Sequence, residues 1–316
     1  LKSEHAQLST DVVAEVNGYE RLESDGMLPK YLIKAAHAKT FADDHQELES
    51  VSIQIYDING EPADNMSSDR MLYVPEKDAD KNFTAYFNSN VKVETRDKLK
   101  IQSENLTYTK ANETAEIEDP LTFERANIRG RSTGAIVKMS ERRLELLKDV
   151  ELETFETPEN KLNNIRYAKM TTDRAIADNN ADRIDLDGNV VMSIKTANGD
   201  YQASSSRAEV FFTSGDKDQR LDRTTLIDNV HIISNSNGST STIDAANGTF
   251  TKATEKIDLR GGVVITANSN TQPVEMRGQT AVYEAPDLRV ELAGNAVVTQ
   301  GLDVVKGDSI KAKLYP

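Results

Sequence analysis

The sequence predicts an all-β protein made of one short two-strand unit repeated along its length, and three observations carry that expectation. Apolar and polar residues alternate in short runs, the runs return at intervals of about 30 to 40 residues, and the composition suits a thin core. Of the 316 residues, 37% are hydrophobic and 6% aromatic, which favours an elongated body over a deep sphere.

The alternating runs are Val51, Ile53, Ile55; Val91, Val93; Leu121, Phe123; Val150, Leu152; Val190, Met192, Ile194; Val230, Ile232; Val263, Ile265; and Ala296, Val298. A period of two puts one set inside and the other in solvent, which a helix cannot do. The last four units, IDLDGNVVMSI, TLIDNVHII, IDLRGGVVITA and VELAGNAVVTQ, read as strand, tight turn, strand. Asp-Gly-Asn, Asp-Asn, Gly-Gly and Gly-Asn serve as the turns. Gly130, Gly134, Gly188, Gly261 and Gly294 are the expected turn glycines.

Weaker segments between these anchors, such as YQASSSRAEVFFT and VEMRGQTAVYEA, are rich in Ala, Ser and Gly. They are either poor edge strands or small-residue strands that keep space open between facing sheets. Helical signals are few. Residues 3–16 would form a turn or two, weakened by Thr10, Val12 and Val13, and 138–150 reads as strand despite its helix-forming composition. Loops are expected at 57–69, 74–82, 213–222 and 267–273. FETPENKLNNIR marks the junction between halves. The expected organisation is a first domain at 1–155, a junction at 156–166 and a second domain at 167–316.

A formal charge of −14 spread along the chain repels phosphates and offers no polybasic patch, so nucleic acid is excluded as a partner. The absence of Cys removes disulfides, thiolate chemistry and Cys-ligated metal. His5, His37, His45 and His231 are scattered without metal-ligand spacing, and Asp182, Asp185 and Asp187 lack the donor pattern of a calcium loop. RGRSTG at 129–134 has no Lys and opens no helix, so it is not a phosphate loop. No catalytic constellation emerges. The expectation is a non-enzyme without cofactor or metal.

No stretch approaches the roughly 18 apolar residues of a spanning helix. The chain begins without Met, and the expected location is the periplasm, with any inner-membrane anchor lying in a segment outside this sequence.

At this point a family resemblance enters. GYERLESDGMLPKYLIKAAHAKTFADDHQELESVSIQIYDINGEP, then VKVETRDKLKIQSENLTYTKANETAEIEDPLTF and NIRGRSTGAIVKMSERRLELLKDVEL, resemble the periplasmic part of LptC, a lipopolysaccharide-export family, over roughly residues 18–153. TTDRAIADNNADRIDLDGNVVM resembles the LptA or OstA-like repeat through Ala175, Asp178, Ile184, Leu186, Gly188, Asn189 and Val190. Related patterns recur to about residue 313.

The resemblance implies an elongated, twisted antiparallel β-jellyroll whose facing sheets enclose an apolar groove for lipopolysaccharide acyl chains. It further implies a periplasmic bridge toward the outer membrane. The groove residues expected in the first half are Ile33, Ala35, Val51, Ile53, Ile55, Val91, Val93, Phe123, Leu146 and Leu152. In the second half they are Ile184, Leu186, Val190, Met192, Phe212, Val230, Ile232, Ile265, Met276, Leu292 and Val298. Ordinary sheet-to-sheet packing is the competing role for each of them. The implied partners are lipopolysaccharide, an inner-membrane lipopolysaccharide ABC transporter, an outer-membrane or bridge β-jellyroll protein, and end-to-end copies of the chain. Open edges near 30–40 and 296–313 are expected to meet them by strand addition. The alternative function is a structural or adhesive β-repeat module recognising a protein or glycan through a filled core.

Overall fold

In the computed structural model, residues 8–76, 82–155, 165–196, 199–213, 220–236, 239–268, 272–284 and 289–313 are described. They form two compact units, Leu1–Leu147 and Lys148–Pro316, and every registered strand pairing is antiparallel. The unit boundary falls inside one strand, while residues 156–164 of the expected junction lie outside the described residues.

The first unit holds β1 (Val12–Asp25), β2 (Leu28–Phe41), β3 (Gln46–Tyr56), β4 (Pro62–Pro75), β5 (Phe83–Glu94), β6 (Lys100–Thr109), β7 (Thr114–Arg125) and β8 (Ile128–Lys138). It ends within β9 (Arg143–Phe155). From β1 to β8, each strand pairs with its sequence neighbour. The second unit continues with β10 (Ile165–Thr172), β11 (Arg174–Asp178), β12 (Arg183–Thr196), β13 (Asp200–Thr213) and β14 (Arg220–Ser236). It closes with β15 (Ser239–Thr251), β16 (Lys256–Asn268), β17 (Val274–Glu284), β18 (Arg289–Gln300) and β19 (Asp303–Lys313). Here too neighbours pair in order, and β10 and β11 share β12 as one interrupted strand.

Two sequence expectations are corrected. The dipeptides read as hairpin turns lie in the middle of long strands, where the register slips. Gly188–Asn189 interrupts β12, Asp228–Asn229 interrupts β14, Gly261–Gly262 interrupts β16 and Gly294–Asn295 interrupts β18. All eight residues have φ between 49° and 86°, the left-handed region that Gly, Asn and Asp enter most readily. They are β-bulges that bend one strand, so the strand pair is formed by successive bent strands instead of by the two sides of each dipeptide. Gly134, φ 79°, occupies a similar place inside β8, whereas Gly130 is an ordinary β8 residue opposite Phe123.

The second correction concerns 57–69 and the N-terminus. Residues 62–69 belong to β4, with only the Asp57–Glu61 turn outside it, and Val12 onward is strand instead of helix. The stretch at 138–150 contains the end of β8, a turn and the start of β9, as its alternation predicted.

The eight apolar runs begin immediately after the bends. Val51, Val91, Leu121, Val150, Val190, Val230, Val263 and Ala296 are all at most 3% exposed. Each bend divides a strand into two arms that both point inward residues at one core. Leu259 before the bend and Val263 and Ile265 after it share one cluster with Met276, Ala281, Leu292 and Ala296. A Cβ built on Gly248 would lie 3.2 Å from Leu259 on its own arm and 3.7 Å from Val230 on the other. Each unit is therefore a sheet folded along a line of bends, a jellyroll-like β fold.

Candidate interior groove

The antiparallel register lines inward residues into rows that cross the strands. In the second unit, one arm carries Ala175, Leu186, Ala208, Leu226, Gly248, Leu259, Ala281, Leu292 and Ile310, each opposite the next. Large and small residues alternate, so the leucines are separated by positions with little or no side chain. The facing arm carries Met170, Met192, Ala203, Ile232, Ile243, Ile265, Met276, Val298 and Val305 in the same way. The Ala- and Gly-rich segments of the sequence are thus interior strands, and β19, paired with β18, is the edge strand of this unit among the described residues.

Burial along these rows is uneven. Leu186, Val190, Met192, Val230, Ile265, Met276 and Leu292 are buried, but Ile184, Phe212, Ile232 and Val298 are only half-buried. Ile243, Ile257 and Tyr283, which the sequence reading did not select, face inward and are half-buried too. Alternation reveals that a residue points inward; it carries no information on whether anything fills the space in front of it.

The first unit is packed differently. One arm presents Ile33, Ile53, Met66, Val93, Ile101 and Phe123, and the other Tyr73, Ala85, Tyr108, Ala115 and Val137, again opposite one another in order. Ile33, Ala35, Val51, Ile53, Ile55, Val91, Val93, Phe123 and Leu146 are all at most 7% exposed, and Leu152, in the second unit, is 3% exposed. An aromatic cluster fills the mouth between the arms. Phe83 lies 5.1 Å from Tyr31, 4.8 Å from Tyr73 and 5.9 Å from Tyr108, ring centre to ring centre. Such contacts add about 0.5–1.5 kcal/mol each beyond the area they bury.

Edge strand β1 adds polar groups to this mouth. The Arg21 guanidinium sits 5.3 Å from the Tyr73 ring centre, and the Tyr19 hydroxyl donates to Gln46 Oε1 at 3.0 Å. Burial alone would lower the Arg21 pKa, but nearby Tyr73, Tyr31, Tyr19 and Glu23 outweigh it and hold the cation more firmly. Burial pushes the Tyr31, Tyr73 and Tyr108 hydroxyls up, so all three remain neutral donors at physiological pH. Among the described residues, the Tyr31 and Tyr108 hydroxyls are buried without a hydrogen-bond partner.

An ion pair stiffens the same rim. Asp64, 1% exposed, accepts the Arg96 backbone N–H at 2.9 Å and the guanidinium Nη2 at 2.6 Å, which holds the Arg96 pKa above its usual value. Asp64→Asn keeps an acceptor but removes the charge, and is expected to destabilise the first unit by about 1–3 kcal/mol in urea unfolding.

A signal for the bends was present in the sequence and went unread. Ser68, Thr172 and Ser205 each donate a side-chain hydrogen bond to the carbonyl of Arg70, Arg174 and Arg207, two residues on. SSDR, TTDR and SSSR therefore mark bends in the strands between the glycine- and asparagine-bearing ones.

The described residues contain no group of three or more His, Asp or Glu side chains able to hold a metal ion, and no helix long and apolar enough to cross a membrane.

Comparison with known families bears on this two-unit arrangement of folded sheets. Residues 2–156 match the family described as lipopolysaccharide-assembly, LptC-related. Residues 169–314 match the LptA/LptD N-terminal domain family of LPS transport proteins. The chain joins an LptC-type domain to an LptA-type domain. No curated protein matches it. Both families are non-catalytic transport components, and the pairing gives the chain a role in lipopolysaccharide transport across the periplasm. The LptC-type half has the aromatic cluster, and the LptA-type half has the rows in which several inward residues are only half-buried.

Proposed function

We propose that the chain is a bridge component that holds lipopolysaccharide acyl chains between the two arms of its sheets and passes them toward the outer membrane. The observation that carries this reading is the LptA-type interior, where Ile184, Ile232, Ile243 and Val298 face inward and yet stay half-buried. Apolar side chains with space in front of them stabilise an acyl chain by about 0.8 kcal/mol per methylene removed from water. A row of similar residues across many strands offers a succession of near-equivalent positions, so no single one traps the cargo. Energy for directed movement then comes from the ABC transporter partner.

In this reading the unpaired edges carry the protein contacts. The strand at 30–40 is not an edge, because β2 pairs with β1 on one side and β3 on the other. The free edges among the described residues are β1, paired with β2, and β19, paired with β18. We assign β1 to a transporter jellyroll and β19 to the next bridge component or a second copy, by strand addition. Exposed Val305, opposite Val298, would extend the interior row into such a partner.

Photocrosslinking amino acids at Ile184, Ile232 and Val298 are expected to capture lipopolysaccharide, while the outward neighbours Asp185, Ile233 and Val297 are not. Equal capture at both sets would reject the groove. A module that instead recognises a protein or glycan from outside predicts the reverse pattern.

A further inference from the structure

The LptC-type unit has its aromatic and polar contacts concentrated at one end of the mouth. Three contacts cross from arm to arm there. Tyr31 meets Phe83 with ring centres 5.1 Å apart, Arg21 covers Tyr73 at 5.3 Å, and Tyr19 donates to Gln46 at 3.0 Å. Tyr19 and Arg21 come from β1, a strand paired on one side, and Tyr31 from β2. The same face of β1 further along carries Val12 and Val16, which are 49% and 43% exposed, so the strand presents polar closure at one arm and bare apolar surface at the other.

Two more features belong to the same place. A cleft of about 450 Å³ opens between the arms outside the aromatic contact, lined by Glu23, Lys30 and Tyr31 from one arm and Asn82, Lys110 and Glu113 from the other. Tyr31 is one of its lining residues, and the hydroxyls of Tyr31 and, deeper in, of Tyr108 are buried without a hydrogen-bond partner among the described residues. Tight packing and a short cross-strand ladder keep the mouth shut, while hydroxyls deprived of partners favour any arrangement that returns them to water or to a polar group.

We infer that Tyr19, Arg21 and Tyr31, with their partners Gln46, Tyr73 and Phe83, form a gate that closes the β1 end of the LptC-type interior and must part before an acyl chain enters. Opening needs no unfolding of the core. The arms separate at the rim, Arg21 turns to solvent, and the Tyr31 and Tyr108 hydroxyls gain access to polar groups. The filled interior of the first unit is the closed state of this device. This inference rests on the groove reading, and it adds an entry point and a state dependence that the family match does not contain.

The chain has no Cys, so two introduced thiols are unique attachment points. Facing sheets lie about 10 Å apart, too far for a disulfide but within reach of a short reducible bis-maleimide. Tyr19→Cys with Gln46→Cys is bridged in this way in delipidated protein carrying benzoylphenylalanine at Phe123, inside the first unit. A second preparation carries the crosslinker at Val298. Purified lipopolysaccharide is the probe. Bridging is expected to slow capture at Phe123 at least tenfold, with recovery on cleaving the bridge and no change at Val298. Equal capture at Phe123 in bridged and cleaved forms would overturn the gate while leaving the groove intact. No capture at either position would remove the groove reading and the gate with it. Arg21→Ala, a change on a partly exposed edge strand, provides an independent arm: it is expected to speed capture at Phe123 at least threefold, and an unchanged rate counts against the gate.

Discussion

Gly261→Val is expected to lower the stability of the LptA-type unit by about 2–4 kcal/mol, visible as an early transition in urea or thermal unfolding. Two costs add. Gly261 has φ +86°, a conformation that costs an ordinary side chain about 1–2 kcal/mol and a β-branched one more. A Cβ there would also lie 2.5 Å from the Ala246 Cβ on the neighbouring strand, which forces the two strands apart at the bend. The adjacent Gly262 supplies the control. It has φ +74° but nothing within 4 Å of a built Cβ, and the matching position in the other bends is Asn189, Asn229 or Asn295. Gly262→Asn is therefore expected to stay within about 0.5 kcal/mol of the parent. If Gly261→Val and Gly262→Asn are equally benign, the bends are not held by backbone conformation.

That contrast shows what was legible in the sequence. The period was readable because every second strand of the LptA-type unit from β12 on carries the same combination: two residues with positive φ, then an apolar residue that enters the core. Val190, Val230, Val263 and Ala296 follow Gly188–Asn189, Asp228–Asn229, Gly261–Gly262 and Gly294–Asn295. The meaning of the dipeptides was not readable, because the same residues serve hairpin turns and bulges, and only strand register separates the two. β1 escaped notice for a different reason. As an edge strand, it leaves Val12, Val13 and Val16 exposed and lacks the buried alternation that marks interior strands.

The candidate groove was half legible. Alternation identified which residues face inward, and among the expected residues Leu186, Met192, Ile265, Met276 and Val298 do share rows with Ala, Gly or Ile across the strands. Whether those rows are filled depends on the opposite arm, which is distant in sequence. In the LptC-type unit, Tyr73, Phe83 and Tyr108 occupy the space between arms, and no local pattern around Ile33 or Val93 announces them. In the LptA-type unit, the corresponding positions are Ala208, Gly248 and Ala281, which carry little or no side chain.

The largest functional effect is expected from placing a charge among the half-buried inward residues of the LptA-type unit. Val298 faces inward beside Met276 and Val305, and it is half-buried, so an altered side chain is tolerated better there than at fully buried Met276. Val298→Asp puts a carboxylate against the path of an acyl chain. Lipid then has to strip water from an ion with no cation beside it on its row, which costs several kcal/mol. Since about 1.4 kcal/mol is a factor of ten in affinity, capture of lipopolysaccharide at Ile232 is expected to fall at least tenfold. Val297→Asp tests position separately from charge. Val297 faces outward with Arg277 opposite on β17 and Lys306 opposite on β19, so a carboxylate there is solvated and flanked by cations, and capture is expected to be unchanged. The charge also gives a pH test with a defined sign. Apolar surroundings raise a carboxylate pKa, so acidification neutralises the inward carboxylate first, and capture by Val298→Asp should recover as pH falls from 7 toward 5 while the parent changes little. Equal loss in the inward and outward variants would mean that charge acts on the protein surface, and the rows between the arms would then be core packing alone.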